Sequence, residues 1–164
     1  GQNRQPLQAK VGGDGNYGRV VPEIRITNVS WIDYQKDSDW LFEKMSWIIM
    51  QLNHKYYKFD LSGLFESMQF TVYNGNEEGH YDWHLDIGPG QIANRKISIV
   101  VQLSEPDEYI GGDLQLMMSS EPVTVPRGKG NVVIFPSFLL HRVIPLTGGN
   151  RKSLVLWVGG DHYK

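Results

Sequence analysis

Between Asp37 and His54 the apolar residues Trp40, Leu41, Met45, Ile48, Ile49 and Leu52 recur at helical spacing. With Asp37 or Ser38 available as an N-cap, the pattern predicts one helix running to about His54. Before it, Ile24 to Trp31 ("IRITNVSW") alternates apolar and polar residues and predicts a strand. After Ser62-Gly63 the period shortens to two. Short β-branched and aromatic segments predict strands near 67–73, 79–86, 96–103, 113–118, 122–125, 131–135, 140–144 and 151–159. The separators "YNGNEEG", "GPGQ", "IGGD", "PRGKG" and "LTGGN" read as turns. Short strands in series with no helix between them predict antiparallel sheets in a sandwich or barrel, with the early helix packed outside. Residues 1–22, rich in Gly, Gln and Asn, read as a flexible arm or loop of a single domain spanning 1–164. There are no internal repeats.

Composition narrows this picture. At 164 residues the chain can bury a substantial core without staples. A net charge of −2 gives no electrostatic reason to expect nucleic acid or an anionic membrane as partner. The absence of cysteine removes disulfides, thiolate chemistry and cysteine-ligated zinc, and fits a cytoplasmic setting. No apolar run approaches the ~20 residues of a bilayer span. Gly1-Gln-Asn-Arg is neither a signal peptide nor a natural Met start, and the sequon at Asn28 carries little weight without one.

The candidate chemistry sits in "HYDWHLD", residues 80–86. Residues two apart on a strand share a face, so His84 and Asp86 project together with α-carbons about 7 Å apart. An imidazole and a carboxylate so placed can converge on one metal ion. His141, following the apolar run "VVIFPSFLL", is the natural third ligand. Two histidines and one carboxylate leave coordination positions open, the arrangement of non-haem Fe(II) oxygenases, although zinc suits the same donors. The ordinary alternative is a solvated strand. His80 and Asp82 fall on the same predicted face and fit it, while His54 and His162, near element ends, read as surface residues. Further on, Arg151, Ser153, Val155 and Trp157 alternate onto one face of the last strand. An arginine turned inward needs an anion, and no acidic residue of the neighbouring strands is evidently reserved for it. Arg151 with Ser153 beside it suits a carboxylate brought by a ligand; a surface arginine, as Lys152 reads, is the alternative.

"HYDWHLD", "RKISIVVQLSEPDEYIGGDLQL" and "GNVVIFPSFLLHRVIPLTGGNRKSLVLWV" together resemble the iron(II)- and 2-oxoglutarate-dependent oxygenases, nearest the prolyl-4-hydroxylase-like group with its PKHD-type members. "IRITNVSWI" and "FDLSGLFESMQFTVY" extend the resemblance from Ile24 to the C-terminus. It implies a mainly β fold, a double-stranded β-helix (jelly roll) with a supporting N-terminal helix. It implies His84, Asp86 and His141 as iron ligands, Arg151 as partner of the distal carboxylate of 2-oxoglutarate, and Ser153 as a secondary donor. Tyr73 matches a co-substrate contact in relatives, with core packing as its other reading. Gln102 stands where some relatives place a tyrosine, a departure that puts this contact in question. Tyr81 and Trp83 flank the ligand strand, in a packing or a substrate-side role. The implied cofactors are Fe(II), 2-oxoglutarate and O2, with ascorbate stimulating. The implied reaction hydroxylates an unactivated C–H, a prolyl residue of a peptide or protein, while 2-oxoglutarate becomes succinate and CO2. A free amino acid or small metabolite remains an alternative substrate. So do a non-catalytic, metal-containing jelly-roll binding module and a zinc hydrolase using Asp82 as base. The loops 74–79 and 88–94 are expected at the mouth of the site, with 88–94 or the Gly-rich arm at 11–18 as a lid.

Overall fold

The computed structural model describes residues 7–9 and 21–161. Its strands are β1 (Leu7–Gln8), β2 (Arg25–Ile26), β3 (Asn28–Ile32), β4 (Leu61–Gly63), β5 (Met68–Asn74), β6 (His80–His84) and β7 (Arg95–Gln102). They continue with β8 (Tyr109–Gly111), β9 (Leu114–Leu116), β10 (Val123–Thr124), β11 (Val132–Pro136), β12 (His141–Val143) and β13 (Leu146–Gly160). The single α-helix among the described residues, α1 (Asp39–Leu52), lies between β3 and β4. An eight-stranded sheet runs β1-β3-β5-β13-β7-β11, with β4 and β8 also pairing with β13. A five-stranded sheet runs β10-β9-β12-β6-β2. The expected antiparallel sheets with one helix outside are therefore present, as two sheets.

Alternation splits the large sheet into two chemistries. On β13, Leu154, Leu156 and Val158 turn toward α1, where Phe42, Met45 and Ile49 meet them. Met68 of β5 and Ile97 and Ile99 of β7 complete that oily layer. The opposite face carries Arg151, Ser153, Val155 and Trp157, which line a cleft between the sheets. Deeper in, Tyr73, Val100, Leu114, Phe135, Val143 and Leu146 form a second apolar cluster. The central strands read as nearly continuous hydrophobic runs because both faces are covered.

Several expectations need correction. The predicted strand at 24–31 is two strands in different sheets: β2 pairs with β6, and β3 pairs with β5. The chain changes sheets at Thr27, whose hydroxyl donates to the Val72 carbonyl at 2.9 Å. "LTGGN" is not a turn but the first part of β13, which pairs with β8 across an irregular register. Gly149 permits this, with φ of +69° and the Glu108 carbonyl where a Cβ would stand. "IGGD" likewise contributes to β8. Leu7–Gln8 of the supposed arm pairs with β3, whereas the Gly-rich stretch at 11–18 lies outside the described residues. On α1, Trp40 is 60% exposed and Phe42 takes its place in the buried face. The helix passes into a π-turn at Asn53–Tyr57, closed by Lys58 at φ 55°. No helix among the described residues is long and apolar enough to cross a membrane.

The two faces of α1 should differ sharply under mutation. Ile49→Ala, at 3% exposure, is expected to cost about 2–5 kcal/mol in urea unfolding. Trp47→Ala, at 65% exposure, should stay within about 0.5 kcal/mol. Equal losses would mean that the helix packs by a different face.

Candidate active site

His84 ends β6, Asp86 follows two residues on, and His141 opens β12 directly opposite His84 in the ladder. The Asp86 amide donates to the Ser137 carbonyl at 3.0 Å, which keeps this short post-strand segment against the β11–β12 corner. The side chains converge as the sequence predicts. His84 Nε2 lies 3.8 Å from Asp86 Oδ1, and His141 Nε2 lies 3.5 Å from Asp86 Oδ2. One donor atom from each residue falls within 4.8 Å of the others.

The proton positions follow from the partners. His84 Nδ1 sits 2.7 Å from the Asp82 carbonyl and His141 Nδ1 sits 2.8 Å from the Leu139 carbonyl. A carbonyl can only accept, so both Nδ1 atoms carry hydrogen and donate. Burial, and then the neighbouring His141, lowers the His84 pKa from 6.5 to about 3, so His84 is neutral near pH 7. Its Nε2 therefore presents a lone pair. Burial alone would raise the Asp86 pKa, but His141, His84 and the groups of Ser98 and Trp157 together hold it below its ordinary value. The His84 lone pair thus faces a carboxylate across a gap that no hydrogen bond bridges, an arrangement that a divalent cation satisfies. The donor set of two imidazoles and one carboxylate fits Fe(II).

Arg151 lies in the same cleft, 1% exposed. Its Nη2 donates to Gln102 Oε1 at 2.9 Å, and its guanidinium stands 5.4 Å from the Tyr73 ring centre. Nε and Nη1 are buried and have no hydrogen-bond partner. No acidic side chain is paired with Arg151 among the described residues. Gln102, 2% exposed, meets Arg151 with its carbonyl oxygen and so orients the arginine. Ser153 and Tyr73 both line the cleft, and Tyr73 also packs in the deeper apolar cluster, so its two readings coexist.

Strict alternation fails on β6. Three residue steps from Tyr81 to His84 face two steps on β12, so one extra residue bulges out. The bulge turns Tyr81 to the His84 side, where the rings stack at 3.4 Å between centres. His80 and Asp82 do not share that face, contrary to the sequence expectation, and neither lines the cleft. Asp82 is exposed and accepts from the Trp83 amide, which removes the base that a zinc hydrolase would need. The loop 74–79 also stays away from the cleft. Its Gly75 packs on the Gly148 backbone so closely that a Cβ would sit 2.6 Å from it. The loop 88–94 does reach the mouth, with Gly88, Pro89, Gln91, Ile92 and Asn94 on the cleft wall.

Sequence reasoning missed Arg95. Its Nη1 donates to the Asp86 carbonyl at 3.1 Å, and its Nε donates to Glu66 at 2.7 Å within an ion pair. Its guanidinium lies 3.7 Å above the Trp157 ring. Arg95 thereby ties the metal-side carboxylate segment to β13. The alternation that places Trp157 with Arg151 was the available signal for one end of this contact. The Glu66 end joins residues 29 apart and left none.

Acid should destabilise the metal-free protein through these groups. Between about pH 6.5 and 3 the unfolded chain protonates His84 while the fold keeps it neutral, so stability falls as pH falls. Asp86, held below its ordinary value, adds to the loss at the lower end. In chelator, the urea midpoint should drop on acidification from about pH 7 to about pH 5, and His84→Gln should flatten that slope. Parallel slopes for wild type and variant would refute a buried neutral His84.

Residues 68–159 match the family model described as the 2OG-Fe(II) oxygenase superfamily. A PKHD-type hydroxylase of Verminephrobacter eiseniae is 39% identical over 90 residues, covering 51% of this chain and 40% of the relative. One from Teredinibacter turnerae is 36% identical over 93 residues, covering 55% and 41%. The chain thus spans about two-fifths of the length of these relatives. A Pseudomonas putida prolyl-4-hydroxylase superposes with TM-score 0.70 and 25% identity, over 85% of this chain and 75% of its own. A Trichoplax adhaerens prolyl hydroxylase, solved with a hypoxia-inducible-factor peptide fragment, reaches TM-score 0.77 at 19% identity, over 94% and 70%, a likeness of fold alone. The sheets described above are therefore a jelly roll, and the chain belongs to the 2OG-Fe(II) oxygenase superfamily.

Proposed function

We propose that the protein is an Fe(II)- and 2-oxoglutarate-dependent hydroxylase of the prolyl-4-hydroxylase-like type, acting on a prolyl residue of a peptide or protein. The observation that carries this reading is the Arg151 guanidinium, buried with two unpartnered N–H groups in the cleft that holds the histidine–aspartate–histidine cluster. A buried cation of this kind calls for an anion, and a dicarboxylate reaching from the cluster to Arg151 supplies it. A non-catalytic binding module accounts for the cluster but leaves those N–H groups without purpose.

His84, Asp86 and His141 would hold the iron, and Arg151 would receive the distal carboxylate of 2-oxoglutarate. The iron with its co-substrate and O2 supplies the oxidising chemistry that inserts oxygen into an unactivated C–H. The chain's own residues bind, orient and exclude. The Asp82 and Leu139 carbonyls fix both imidazole tautomers with Nε2 inward. Gln102 keeps the Arg151 fork aimed, and Ser153, beside it on β13, offers a hydroxyl to the same carboxylate. Tyr73 covers the guanidinium from one side. The apolar wall of Val100, Leu114 and Val143 keeps bulk water from the co-substrate. The name borne by the curated relatives, PKHD-type hydroxylase, and the prolyl-4-hydroxylase likeness at 25% identity support the prolyl assignment.

Succinate formation from 2-oxoglutarate with Fe(II), O2 and ascorbate tests the reaction, and mass spectrometry for one added oxygen on proline-containing peptides tests the substrate. Asp86→Ala is expected to abolish tight Fe(II) binding and turnover. Retained turnover would sink the metal assignment. Arg151→Ala should raise the 2-oxoglutarate KM about 30-fold or more, since breaking a buried hydrogen-bonded charge pair costs about 2–5 kcal/mol. An unchanged KM would remove Arg151 from this role.

A further inference from the structure

A second arginine in the cleft has no acidic partner among the described residues. Arg25 sits on β2 in the five-stranded sheet, across from Arg151 in the eight-stranded one. It is 6% exposed, it lines the cleft, and its Nε is buried without a hydrogen-bond partner. No ion pair joins it to another described residue. Its guanidinium carbon stands over the face of Tyr81, 4.4 Å from the ring centre. Tyr81 in turn stacks at 3.4 Å on the His84 imidazole. One cation–ring contact and one ring–ring contact therefore link Arg25 to His84. A cation over a tyrosine ring gains far less than burying an unpaired charge costs.

Charge balance points the same way, given the co-substrate assignment proposed above. Arg95 and Glu66 neutralise each other at the cleft wall. Asp86 against a divalent metal leaves one positive charge, and Arg25 and Arg151 add two. A dianionic 2-oxoglutarate engaged by the metal and Arg151 leaves a single positive charge. The cation it does not cover is Arg25.

We infer that Arg25 is the docking point for a carboxylate of the substrate to be oxidised, placed near the target carbon and above the Tyr81 face. The carboxylate is either that of the hydroxylated amino acid itself or that of an acidic side chain beside it. The guanidinium fork would hold it bidentately, and Tyr81 fixes the distance from anchor to metal. This inference deepens the proposed function by naming the chemistry of the substrate, and it rests on that reading.

Equilibrium binding to the iron-free protein tests it apart from catalysis. The probes are two matched pairs: N-acetylproline with its amide, and an end-blocked Pro-Asp dipeptide with its Pro-Asn counterpart. The acid member of one pair should bind about tenfold or more tightly than its neutral partner. A preference in the first pair assigns the carboxylate to the hydroxylated unit, and one in the second assigns it to the neighbouring side chain. Arg25→Gln should bring acid and neutral members within about twofold. Arg25→Lys keeps the charge over Tyr81 but loses the fork, so several-fold loss of preference is expected even where the glutamine variant fails to fold. Equal binding of acid and neutral members in both pairs overturns the inference. So does an Arg25→Gln or Arg25→Lys variant that weakens every probe by one factor, which a purely positional role through Tyr81 would produce. Because these measurements use neither iron nor turnover, a failure to form succinate counts against the oxygenase reading alone.

Discussion

Along β13 successive side chains must point to opposite sides, and this strand is covered on both. Leu154, Leu156 and Val158 meet the helix layer, so Arg151, Ser153, Val155 and Trp157 have nowhere to go but the space between the sheets. β5 repeats the division, with Gln69, Thr71 and Tyr73 on the inner side, and β7 does so with Ser98, Val100 and Gln102. A polar chamber is thus built into the middle of the apolar structure rather than laid on its surface. The helix face that seals the outer layer is what makes the inner layer affordable.

Inside that chamber the protein leaves its charges unanswered. The His84 lone pair faces a carboxylate, and two guanidinium groups lack acidic partners among the described residues. Groups of this kind cost stability when no ligand is present and act strongly when one is, because the surroundings hold little water to screen them. The groups that could compete for them are already engaged. Glu66 is committed to Arg95, and the Asp82 and Leu139 carbonyls are committed to the histidine Nδ1 atoms. Arg95 adds rigidity by joining the Asp86 backbone to the Trp157 ring.

The helix, most of the strands and the convergence of His84, Asp86 and His141 were legible in the sequence, because each expresses a local period or a fixed residue type. Arg151 was legible as well, through its place in the alternating last strand. What could not be read was contact between distant segments. The Glu66–Arg95 pair spans both β5 and β6, and the passage of the chain from one sheet to the other at Thr27 leaves a pattern indistinguishable from one straight strand. Glycine misled at "LTGGN": it marked an irregular register inside β13, where a close approach to Glu108 excludes a side chain, and not a reversal of the chain. Trp40 misled in the same manner, since helical spacing alone does not say where the edge of a buried stripe falls.

The extra residue in β6 has a consequence for how this segment can vary. It sets which of two alternating series looks inward, so Tyr81 owes its place beside His84 to chain length as much as to its own identity. Substitutions at Asp82 or Trp83 would leave that phase intact. Loss or gain of one residue there would keep both sheets and the ligand residues yet swing the tyrosine to the outside, uncovering Arg25. Descendants of this chain are thus free to drift in spelling at Asp82 and Trp83 but are held to the length of "HYDWHLD".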